Sequence, residues 1–101
     1  MRKMPLGTVT EILESVDLAV AHAYDDLVFL EQPDFLLQFT KSKKKILVHI
    51  NENTEEEYLE TDFPVLQKRA KEYTMQFIRG GYFRMSQTDQ EHLHVEFFTI
   101  Q

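Results

Sequence analysis

Two spacings of apolar residues alternate along this chain. Val9, Ile12, Leu13, Val16, Ala19, Val20 and Ala23 recur at three- and four-residue steps, the stripe of an amphipathic helix of about four turns. Thr8-Val9-Thr10-Glu11 fits a capping box at its start, and Asp25-Asp26 reads as its end. The period then becomes two. Residues 27–31 are an apolar run of strand length, and Gln32-Pro33-Asp34 is turn chemistry. Residues 35–40 and 45–51 alternate in side-chain character on either side of a lysine-rich turn. Links this short predict an antiparallel meander.

The helical period returns after an acidic stretch over 52–62, where Asn53 or Thr54 starts at most one turn. Asp62 is the expected cap of the second helix, with Pro64 in its first turn, and Phe63, Leu66, Ala70, Tyr73 and Phe77 form its stripe. Gly80-Gly81 reads as the stop. Residues 82–87 and 91–100 flank Thr88-Asp89-Gln90 as a closing hairpin.

The predicted order is therefore α-β-β-β-α-β-β in a single α+β domain spanning 1–101. Two helices would cover one face of a mostly antiparallel five-stranded sheet, giving a two-layer sandwich. The face toward the helices collects Phe35, Leu37, Phe39, Ile46, Val48, Ile50, Phe83, Met85, Leu93, Val95 and Phe97. The opposite face collects Leu36, Gln38, Thr40, Leu47, His49, Asn51, Tyr82, Arg84, His92, His94, Glu96, Phe98 and Ile100.

That second face is too apolar for a sheet surface left in water. Leu36, Gln38, Leu47, His49, Arg84 and Phe98 make it the expected binding face for a protein partner or for a second copy of the chain. It also carries His92, His94 and Glu96, which period two places on one side of the last strand. Two imidazoles and a carboxylate are a ligand set suited to zinc or iron, and His49 would join them on a neighbouring strand. This is the alternative reading: a metal- or small-ligand-binding domain, with catalysis open.

Composition narrows the classes. The chain has 101 residues, a net charge of −6 and no cysteine. The acidic balance disfavours nucleic acid, and the absence of cysteine removes disulfides and thiolate chemistry. Three glycines leave no phosphate-binding loop to write, and no serine sits in a nucleophile elbow, so no cofactor is expected. Apolar runs reach four residues where a membrane span needs about 20, and the opening Met1-Arg2-Lys3 is followed by no apolar export segment. The expectation is a cytoplasmic protein that contacts neither membrane nor nucleic acid.

The lysines at 41, 43, 44 and 45 sum to +4 and the carboxylates of 52–62 to −6, so the two segments are positioned to attract within the chain or between chains.

The element order is similar to that of type III secretion chaperones of the effector-binding class. These are small, acidic, cytoplasmic homodimers built as a helix, three strands, a helix and two strands. The likeness is of topology and composition. No residue motif is matched and that family's final helix has no counterpart here, so it assigns no site residue. Acidic immunity-type inhibitors share the size and charge. The function expected from the sequence is thus a small non-catalytic protein-interaction domain, chaperone-, adaptor- or inhibitor-like, acting as a homodimer through the sheet face away from the helices.

Overall fold

A computed structural model describes residues 5–87 and 93–98. Helix α1 (Leu6–Ser15) and helix α2 (Glu56–Glu72) accompany strands β1 (Val20–Tyr24), β2 (Leu27–Leu30), β3 (Phe35–Phe39), β4 (Lys45–Asn51), β5 (Gln76–Gln87) and β6 (Leu93–Phe98). The fold is α+β, and the strands lie side by side in sequence order as one curved sheet, a half-barrel. All neighbours are antiparallel except β4 and β5, which run parallel because α2 crosses between them.

The expected meander is present with its register: Phe35 opposes Ile50, and Leu37 opposes Val48. Val9, Ile12 and Leu13 of α1 and Leu59, Phe63, Leu66 and Ala70 of α2 pack on Val28, Phe35, Leu37, Phe39, Ile46, Val48, Ile50 and Phe77. That core holds both helices on one face of the sheet.

Three expectations are corrected. First, the sheet has six strands in mixed orientation, not five mostly antiparallel ones. Residues 20–24 extend the apolar stripe of α1, but the helix ends at Ser15. Asp17 sits at φ 64°, the Leu18 amide donates to the Leu13 carbonyl at 2.9 Å and the Asp17 amide to Glu14 at 3.2 Å. This is a Schellman stop with aspartate where glycine is usual. Asp25-Asp26 is the two-residue turn of the β1–β2 hairpin, with Asp25 at φ 58°.

Second, α2 begins six residues before Asp62, so Pro64 lies inside it. The helix ends at a second Schellman motif, with Thr74 at φ 59° and the Met75 amide donating to Ala70 at 2.9 Å. Gly80-Gly81 is not its stop but part of β5.

Third, the last two strands face the other way. Val48 pairs with Arg79 and Ile50 with Tyr82, so the single residue His49 opposes both Gly80 and Gly81. This β-bulge inserts one residue and inverts every side chain beyond it. Phe83, Met85 and Val95 accordingly leave the helical core and form a second cluster with Phe29, Leu36 and Leu27 on the face opposite the helices. The sheet therefore has a small core of its own outside the helical layer.

Candidate functional site

The face away from the helices carries an apolar cluster of its own. Phe29, Leu36 and Phe83 are buried at its centre, and the half-buried Leu27, Met85 and Val95 pack around them. Leu47 is half-buried on the same side of β4, and Phe97 on β6 is 46% exposed. Toward the β1 edge His22 stacks on Phe29 with centroids 4.7 Å apart.

His49 stands in the middle of this surface, 8% exposed. Its ring lies 4.5 Å from that of Phe97. The Gln38 amide nitrogen donates to Asp26 Oδ2 at 2.8 Å, which turns the Gln38 carbonyl oxygen toward His49 Nε2 at 2.9 Å. A carbonyl oxygen only accepts, so Nε2 carries the proton and Nδ1 keeps its lone pair. Burial lowers the His49 pKa, and the charge of Asp26 opposes this more weakly, so the ring is held toward its neutral form. Among the described residues Nδ1 is the buried side-chain polar atom without a hydrogen-bond partner. It faces Gly80, where an added Cβ would approach Nδ1 to 3.0 Å. The close approach, not a positive φ, is what favours glycine here: a larger residue would press on the His49 ring, which would have to give by a few tenths of an ångström.

The residues singled out from sequence divide between the two faces. Leu36, Gln38, Leu47 and His49 share the face away from the helices, but Leu36 is 1% exposed and buried within the cluster. Arg84 and Phe98 are turned by the bulge to the helical face of the sheet. There Arg84 grips Glu52 with both nitrogens, Nη2 at 2.9 Å, and sits 5.3 Å over the Phe98 ring. The ion pair lowers the Glu52 pKa and raises that of Arg84. Phe98 stacks on Tyr82 at 6.3 Å, and Arg79 donates to the Tyr82 hydroxyl at 2.9 Å.

His94 and Glu96 lie on this side as well, paired at 3.0 Å and half-exposed. His49 is therefore on the opposite face from them, while His92, the Leu93 side chain and Ile100 fall outside the described residues. Among the described residues no group of three or more His, Asp or Glu gathers as a metal site would require.

Two clefts lie elsewhere on the molecule. One of about 490 Å³ lies between the end of α1 and α2, against Val16, Gln32, Tyr58, Asp62 and Arg69. Burial, then Asp62 and Asp34, push the Tyr58 hydroxyl up to about 12. Its polar side chains already have partners: Gln32 accepts from the Ala19 amide at 3.1 Å and Arg69 meets Glu72 at 3.1 Å. The other, about 510 Å³, runs between α2 and β5 under Glu52, Glu56 and Glu60.

The residues that matter most here and were assigned elsewhere from the sequence are Asp26, Gly80, Phe83 and Phe97. The signal for the last three was present: two adjacent glycines between apolar runs also mark a bulge.

Compared with known proteins, the chain matches no family model, and no curated protein or solved structure resembles it significantly.

Proposed function

We propose that this chain is a non-catalytic protein-interaction module of the chaperone, adaptor or inhibitor kind, that its docking surface is the sheet face away from the helices, and that a second copy of the chain occupies it. The observation that carries this reading is the apolar cluster on that face. A sheet face with a buried aromatic floor and with Leu47 and Phe97 reaching solvent is built to be covered.

Charge selects the occupant. The molecule is electrically polar along its strands. One pole holds Glu52, Glu55, Glu56, Glu57 and Glu60, where β4 ends and α2 begins. The other holds the lysine turn and Lys68, Arg69 and Lys71 of α2, joined where the Gln76 amide donates to the Lys44 carbonyl at 2.7 Å. A seven-residue strand separates the poles by roughly 20 Å, so they do not neutralise each other within one chain. A two-fold dimer packed through this face with strands antiparallel across it sets each basic pole against an acidic one. The lack of cysteine suits a reducing compartment such as the cytoplasm, and no helix among the described residues is long and apolar enough to cross a membrane.

Light scattering after size exclusion tests this. The expected mass at low salt is twice the 12.0 kDa of the chain. Leu47→Asp with Phe97→Asp is expected to give monomers. So is Lys43→Glu with Lys44→Glu, and adding Glu56→Lys and Glu57→Lys is expected to restore the dimer. A wild-type monomer, or a dimer indifferent to both pairs of substitutions, contradicts the reading.

A further inference from the structure

The cleft of about 510 Å³ between α2 and β5 is lined by charges of both signs that do not pair with each other. Ile50 and Phe63 are buried at its base, and Tyr82 is half-buried beside them. Glu56 and Glu60 stand on the α2 wall, one turn apart and exposed. Arg79 stands exposed on the β5 wall. Its Nη2 donates to the Tyr82 hydroxyl at 2.9 Å, and its guanidinium lies 5.7 Å from the centre of that ring, so the side chain is held in place. The hydroxyl accepts this bond, which leaves its own hydrogen to donate. Two donor groups therefore sit together on one wall and two carboxylates on the other. Among the described residues the side-chain ion pairs are Arg69–Glu72, Arg84–Glu52 and His94–Glu96, so neither Glu56 nor Glu60 reaches Arg79. The opposite charges line a common space without closing it.

We infer that this cleft binds a free zwitterionic amino acid with a large apolar side chain, of the kind of phenylalanine, its carboxylate taken by Arg79 and the Tyr82 hydroxyl and its ammonium by Glu56 and Glu60. A cation alone would meet the like charge of Arg79, and an anion alone that of the two glutamates. A molecule carrying both charges answers both walls. Its apolar side chain lies against Tyr82, Phe63 and Pro64, where ring contact and buried area favour it. The volume lies in the range of small-molecule sites. No bond is made or broken. The inference goes beyond the dimer and does not rest on it, because the cleft lies on the helical side of the sheet and the proposed interface on the other.

Calorimetric titration of the full chain with phenylalanine, phenylalanine amide and N-acetylphenylalanine tests it, at about pH 6 so that the amide keeps its ammonium charged. The amide lacks the carboxylate, and the acetylated form lacks the ammonium. Phenylalanine is expected to bind about tenfold more tightly than either, one charged contact's worth of selectivity. In Arg79→Gln the preference over the amide is expected to fall to about one while that over the acetylated form remains. In Glu56→Gln with Glu60→Gln the reverse is expected. All three positions are exposed, and the comparison of the three probes on the wild type needs no variant. Equal affinities for the three probes, no saturable binding of phenylalanine, or preferences that survive both sets of substitutions overturn the inference. Light scattering on the same sample keeps the two proposals apart. A monomer that prefers phenylalanine contradicts only the dimer, and a dimer without the preference contradicts only the cleft.

Discussion

Among single residues His49 bears the clearest consequence. Its folded pKa is depressed below the ordinary 6.5, because burial penalises the charged ring more than Asp26 favours it. The unfolded chain therefore binds the proton more readily than the folded one below that value. The stabilisation is fully present above pH 6.5 and is lost as pH falls through the folded pKa. Denaturant melts of the wild type and His49→Phe between pH 7.5 and 5 check this, in roughly the range where histidines titrate. The wild type is expected to lose stability relative to the variant as the pH drops. Parallel curves would show that the ring titrates normally. Nothing in the sequence marked His49 as buried. Its alternation with Val48 and Ile50 placed it on a solvent face, and the cover comes from Phe97, two strands and 48 positions away.

At the scale of elements, β2, β3 and β4 were legible because their alternation and turns are local. The helix ends were not. Both stop on Schellman motifs whose left-handed residue is Asp17 or Thr74 where glycine is usual, so composition gave no stop signal and the apolar stripes ran on. Thr74 is the more costly of the two, being β-branched at φ 59°. Thr74→Gly is expected to raise stability by about 1 kcal/mol, measured by chemical denaturation, since it relieves that strain. A loss of stability would mean that the Thr74 hydroxyl, which donates to the Tyr73 carbonyl at 2.6 Å, outweighs the backbone. Pro64 shows the converse. It was read as a first-turn residue because an interior proline forfeits a hydrogen bond, yet α2 accepts it on an exposed side where Leu59, Phe63 and Leu66 anchor the buried one.

For the whole molecule the decisive feature is the β4–β5 bulge. One extra residue at Gly80-Gly81 moves Phe83, Met85, Val95 and Phe97 to the face away from the helices and sends Arg84, His94, Glu96 and Phe98 to the helical one. The fold class was readable in the order of elements. The composition of the binding face was not, because parity counted along the chain is blind to a bulge that exists only relative to a neighbouring strand. The apolar cluster away from the helices and the cover over His49 both follow from that inversion. Nuclear Overhauser contacts from the ring protons of Phe83 measure it most directly. The structure predicts contacts to the methyl groups of Leu36 and Val95 on the face away from the helices. Contacts to Leu66 and Phe63 of α2 in their place would put Phe83 beneath the helices and remove the second cluster.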